Sequence, residues 1–137
     1  MTCAFALTGE ALTAEVRERT NGRGADVVIV AVGDLSLANQ ALELAAIGGR
    51  VNYFAGFPKG RTASIDPNLI HYRELAVTGG SNARRADVRR AVELLSSGAL
   101  DVGRLVTHRF PLAELDAAVT AVARRDGLKV AVMPAAG

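Results

Sequence analysis

Glycine follows an apolar run at three places in this sequence: Val32-Gly33, Ala55-Gly56 and Thr78-Gly79. Glycine at the end of a strand removes the side chain that would keep a ligand off the main chain. A helix that starts soon afterwards points unpaired N–H groups at an anion, and the helix expected after Gly80 is placed to do so. The ordinary reading is that these glycines only turn the chain. On sequence alone it is the commoner case, since glycine is the default residue wherever a turn needs a positive φ.

Other chemistry-bearing residues are sparse. Gly22-Arg23-Gly24 precedes its strand and has no third glycine at the spacing of a phosphate cradle, so it is not read as a nucleotide loop. Arg84, Arg85, Arg89 and Arg90 alternate with Asp87 and Glu93 without aromatics nearby, the pattern of a solvated helix face rather than a phosphate track. His71, beside Tyr72 and Arg73, and His108, in Val-Thr-His-Arg-Phe, have no acid or cysteine spaced to make them proton carriers or ligands. Both read as structural histidines. Cys3 is the only cysteine, so an intrachain disulfide or a cysteine-rich zinc site cannot be assembled, and it is expected to be inert.

The elements that must position the glycines alternate between strand and helix periods. Residues 26–32 are a continuous β-branched run, expected of a parallel strand covered on both faces. Residues 51–55 and 75–78 read as two more strands. Helices are expected over residues 10–20, stopped by Asn21-Gly22, and over residues 35–47, stopped by Gly48-Gly49. A short helix opens at Asp66-Pro67 and runs through Tyr72. Another is capped by Ser81 or Asn82, carries Val88, Val92 and Leu95 on one face, and ends at Gly98. Residues 105–109 are extended. Pro111 opens a helix with a buried stripe of Leu112, Leu115, Val119 and Val122, Gly127 closes it, and residues 128–133 form a last strand. Strands separated by helices pair in parallel, which gathers all three glycine-tipped ends on one sheet edge, where such folds bind ligands.

Composition narrows the class. With 137 residues, 50% of them hydrophobic and 22% charged, the chain can bury a core and is too apolar to be disordered. A net charge of +2 and a pI near 9.1 are too mild to indicate a nucleic-acid partner. The sequence has neither a long apolar run nor the basic, then apolar start of a leader, so no membrane association and a cytoplasmic location are expected.

In larger pattern, Gly22-Arg-Gly-Ala-Asp-Val-Val with Ala31-Val32-Gly33, then Gly48-Gly-Arg-Val and Phe54-Ala-Gly-Phe-Pro58, resembles the second half of the medium-chain alcohol dehydrogenase family. Ile70-His-Tyr-Arg-Glu-Leu-Ala-Val-Thr-Gly79, Leu105-Val-Thr-His-Arg-Phe-Pro-Leu112 and Gly127-Leu-Lys-Val follow in the order of its sorbitol and threonine dehydrogenase branch. The resemblance covers nearly the whole chain. It implies an α/β partial Rossmann fold, holding parallel strands four to six with flanking helices over residues 1–104. Residues 105–137 would then be a helix and strand that return to the catalytic domain.

The resemblance also implies site residues. Val32 and Gly33 match positions against the adenosine side of NAD or NADP. Ala55 and Gly56 match backbone contacts to the nicotinamide ribose and carboxamide, and Thr78 and Gly79 match the next strand end, also near the nicotinamide. Lys129 stands where a basic residue can meet the pyrophosphate; a solvated lysine at a strand start is the competing reading. The chain departs from the family at Val30, where members commonly carry an acidic residue nearby. The zinc ligands, proton relay, glycine-rich first turn and ribose-selecting acid all map upstream of Met1. The chain alone is therefore expected to be an inactive fragment that positions cofactor for an alcohol or polyol dehydrogenase. Competing readings are a zinc-free reductase of the same superfamily and a non-catalytic interaction module using an open sheet edge. The strand at 26–32 would leave an apolar edge unpaired, predicting self-association, and the strand at 75–78 offers a second edge for a homo-oligomer.

Overall fold

The computed structural model describes residues 3–134. The chain divides between Asn82 and Ala83 into two compact units, each with its own sheet. None of its helices is long and apolar enough, among the described residues, to cross a membrane.

The first unit contains α1 (Gly9–Arg19), β1 (Ala25–Val30), α2 (Leu37–Leu44), β2 (Ala45–Tyr53), α3 (Pro67–Tyr72) and β3 (Ala76–Gly79). Its strands lie in the order β1-β2-β3 and are parallel throughout, with Val28 beside Val51 and Val51 beside Val77. A parallel neighbour cannot be reached by a tight turn, and the connections through α2 and α3 provide the necessary crossovers. Val30, Ala41, Leu42, Ala45, Val51 and Leu75 form the core between α2 and the sheet, with Leu42 and Val51 at 0% exposure. Burying each such side chain contributes about 1.5–3 kcal/mol. The Tyr53 hydroxyl donates to the Ala38 carbonyl at 2.6 Å and ties β2 to α2. As its sequence predicts, α3 is capped by Asp66, which accepts the Asn68 N–H at 2.9 Å, with Pro67 in the first turn.

Several expectations about this unit require correction. The run at 26–32 is covered on one face only: Val28 and Val30 pack inward, while Val27 and Ile29 are 58% and 62% exposed. The strand itself stops at Val30, because the Phe54 and Ala55 N–H groups both turn in to the Val30 carbonyl. The helix expected over 35–47 ends at Leu44. Ala45 already pairs with Ala25, and Gly48 takes its left-handed φ of 71° inside β2, where the register jumps before Val27 meets Arg50.

The second unit contains α4 (Arg85–Ser96), β4 (Val106–Pro111), α5 (Leu115–Arg124) and β5 (Lys129–Met133), with single 3-10 turns at Gly103–Leu105 and Leu112–Glu114. β4 and β5 form a parallel pair. Neither Ser81 nor Asn82 caps α4, which starts at Arg85 after Arg84, whose N–H donates to the Asp87 carboxylate at 2.9 Å. In α5 the buried residues are Ala118 and Ala121, and the expected stripe of Leu112, Leu115, Val119 and Val122 is exposed. A two-stranded sheet offers too little surface to cover a full leucine and valine face, so the small residues make the close approach. Arg125 closes α5 in the left-handed conformation, at φ 58°, instead of Gly127. Gly127 serves packing, since a Cβ there would collide with Thr107 and His108.

Candidate functional site

Because β1, β2 and β3 run the same way, the segments that leave them open on one rim of the first unit. Val32, Gly33, Ala55, Gly56, Thr78 and Gly79 all belong to that rim. The β1 and β2 exits are bonded together by the Phe54 and Ala55 N–H groups at 3.1 and 2.9 Å from the Val30 carbonyl. Gly80 N–H reaches the Tyr53 carbonyl at 3.4 Å, which joins the β3 exit to the same surface.

The rim glycines are not there to supply left-handed turns, for none of Gly33, Gly56, Gly79 and Gly80 has a positive φ. Two other reasons separate them. A Cβ on Gly33 would collide with the Gly56 carbonyl oxygen, so residue 33 must be glycine for the two exits to touch. Gly56 and Gly80 face open space, with nothing within 4 Å of an added Cβ, and Gly79 meets only the Tyr53 oxygen at 4.0 Å. That bare main chain is what a flat ligand can lie against.

Side chains complete the rim. Asn52 pairs with Thr78 in register, and its Nδ2 donates to Thr78 Oγ1 at 3.0 Å. The Thr78 hydroxyl donates in turn to the Val51 carbonyl at 3.4 Å, which fixes its rotamer. Sequence reasoning passed over Asn52, although a lone asparagine in an apolar strand, on the same face as Ile29 and Thr78, is a readable signal. Asp34 Oδ1 accepts from both the N–H and the hydroxyl of Ser36, at 2.9 and 2.8 Å. The backbone hydrogen bond first, then the hydroxyl, holds its carboxyl below the usual range, so a fixed negative charge follows Gly33. The helix expected directly after Gly80 does not start there: α4 begins at Arg85 and belongs to the second unit.

Lys129 lies in the second unit, exposed at the start of β5, in register with Val106. His71 is exposed on α3 and packs edge to face on Tyr72, with ring centres 4.8 Å apart. His108 Nδ1 lies 3.0 Å from Thr107 Oγ1, and its ring stacks on Phe110. Gly24 has φ 89° with its α-carbon against the Leu44 and Ala45 main chain, so Gly22-Arg23-Gly24 is a packing turn. Arg84 and Arg90 pair with Asp87 and Glu93 on the exposed face of α4. Among the described residues no group of three or more histidines, cysteines or acids could hold a metal ion.

Residues 2–97 match the model of the zinc-binding dehydrogenase family. L-threonine 3-dehydrogenase of Bacillus licheniformis is 32% identical over 116 residues, covering 84% of this chain and 33% of that protein. Alcohol dehydrogenase TADH from Thermus sp. ATN1 superposes with a TM-score of 0.81 at 29% identity, over 91% of this chain and 36% of its own. A zinc-binding dehydrogenase structure from Sinorhizobium meliloti 1021, bound to NADP, superposes with a TM-score of 0.74 at 33% identity, over 81% of this chain and 32% of its own. The chain spans about a third of the length of the curated relatives it matches. With its parallel strands, flanking helices and shared rim, the chain belongs to the zinc-binding dehydrogenase family and holds part of that family's Rossmann cofactor domain.

Proposed function

We propose that this chain is the C-terminal part of an NAD(P)-dependent, zinc-dependent alcohol or polyol dehydrogenase and that it positions the nicotinamide cofactor for hydride transfer. Residues 1–104 are the cofactor-domain portion in this reading, and residues 105–137 return to the catalytic domain. The observation that supports it best is the bare main chain at Gly56, Gly79 and Gly80, on the rim where three parallel strands end. Open sheets of this kind bind ligands at the carboxyl ends of their strands.

Val32 and Gly33 line the adenosine side in this assignment. Ala55 and Gly56 offer main-chain atoms to the nicotinamide ribose and carboxamide. Thr78 and Gly79 border the nicotinamide, with the Asn52 side chain holding the Thr78 hydroxyl in place. Lys129 is assigned to the pyrophosphate. When bound, the nicotinamide supplies the hydride acceptor. In this reading the work of the chain is to bind and orient the cofactor. A homo-oligomer formed through a sheet edge belongs to the same proposal, supported by the outer positions of β1 and β3 in the three-stranded sheet.

A titration of the chain with NADH, followed by nicotinamide fluorescence, tests the reading. Saturable binding that is lost in Gly56→Val and kept in Gly98→Ala is expected. Binding that Gly56→Val leaves untouched, or no binding, would overturn it.

A further inference from the structure

The opposite end of the same sheet carries a second feature, independent of the cofactor reading. There, where β1 and β2 begin, a cavity of about 350 Å³ is lined by Arg17, Gly22, Arg23, Ala46, Ile47 and Arg73. Arg17 comes from α1, Arg23 from the turn before β1, and Arg73 from the residue that ends α3.

Arg17 and Arg73 have no carboxylate within ion-pair distance among the described residues; only Arg23 does, at 3.1 Å from Asp26. Both instead donate to main-chain carbonyls, and they share one at the end of α2. Arg17 reaches Gly22 O at 3.0 Å and Glu43 O at 3.3 Å, and Arg73 Nη1 reaches the same Glu43 O at 2.9 Å and Leu42 O at 3.3 Å. Sharing one acceptor brings two half-buried guanidinium groups together, no farther apart than those two bonds span. The negative end of α2 offsets about half a unit charge. A net positive charge is left beside the cavity.

The donors are not exhausted either. A guanidinium has five N–H groups in a planar fork, and Arg73 Nε and Nη2 have no acceptor among the described residues. A fork with a free edge, next to a second cation and a cavity of ligand size, is the arrangement that takes a carboxylate or phosphate in two parallel hydrogen bonds.

We propose that this cavity binds a small oxyanion, carboxylate or phosphate, between Arg17 and Arg73. Ile47, 76% exposed, stands at the lining without making any of these bonds. The test is an amide-resolved NMR titration of the chain with sodium phosphate and with sodium acetate, each against sodium chloride at equal ionic strength. Saturable shifts at Gly22, Arg23, Ala46 and Ile47 are expected, and whichever salt gives them identifies the source of the oxyanion. Ile47→Glu places a carboxylate there and should weaken binding about tenfold, the size of one charged hydrogen bond, whereas Ile47→Gln should leave it intact. Arg73→Gln should abolish binding, but because Arg73 also caps α2, the Ile47 pair carries the decision if that variant unfolds. Shifts that follow ionic strength in all three salts, or equal binding by Ile47→Glu and the parent chain, would overturn the proposal.

Discussion

The two units spend the same kind of sequence differently. In the first, α2 lays Ala41 and Leu42 over two strands and buries them almost completely. In the second, α5 carries a richer apolar stripe, yet only Ala118 and Ala121 are buried, and Leu115, Val119 and Val122, with Leu112 in the turn before them, remain exposed. The difference is the sheet beneath. Three strands with a helix on top form a closed core, while two strands give a helix only a narrow line of contact. Apolar periodicity reports which residues a helix wants to bury, and the partner surface decides how many of them it buries.

The largest effect that tests this contrast is on the core. Leu42→Ala should destabilise the first unit by about 2–5 kcal/mol, because it empties a fully enclosed site. The matched change Leu115→Ala, on the exposed stripe, should stay within about 0.5 kcal/mol. Urea unfolding of both variants measures the difference, and comparable losses would show that α5 is covered in solution.

A second pair separates the glycines within the rim itself. Gly33→Ala forces a methyl group onto the Gly56 carbonyl and should cost about 1–3 kcal/mol, whereas Gly80→Ala meets open space and should be close to neutral. Thermal unfolding ranks the two.

The smallest effect concerns Tyr53. Tyr53→Phe removes the hydrogen bond to Ala38 and should cost about 1 kcal/mol at neutral pH. Burial raises the Tyr53 pKa above 10.0, so the folded state favours the neutral phenol. Its contribution is therefore complete below pH 10 and is lost as the pH rises through the folded value, so the Phe variant should lose less stability on the alkaline side. A stability profile of the two proteins across that range reads the sign directly.

Much of the first unit was legible because its signals are local. The β-branched run before Gly33, the Asp66-Pro67 start of α3 and the glycine after each strand need no partner to be recognised. The placement of α2's end was not, since it is set by Ala45 pairing with Ala25 across the sheet and not by the glycines three residues later. The one-sided burial of β1 is not legible in the sequence for a related reason. A continuous apolar run shows that two faces are fit for burial, but Val27 and Ile29 remain more than half exposed. In the candidate site, the rim residues were found from the glycines and the family resemblance, and the reason for each glycine came only from coordinates. Gly33 is held by contact with Gly56, a distant residue in sequence, and the Asn52–Thr78 bond likewise joins two strands. Both are facts of register.

The exits of three parallel strands are proposed to form a main-chain surface for a nicotinamide cofactor. A crystal structure of the chain grown with NADH tests it most directly. The nicotinamide is expected against Ala55-Gly56 and Thr78-Gly79, with the adenosine toward Val32-Gly33. A cofactor bound at the other end of the sheet, or along the exposed face of Val27 and Ile29, would contradict it.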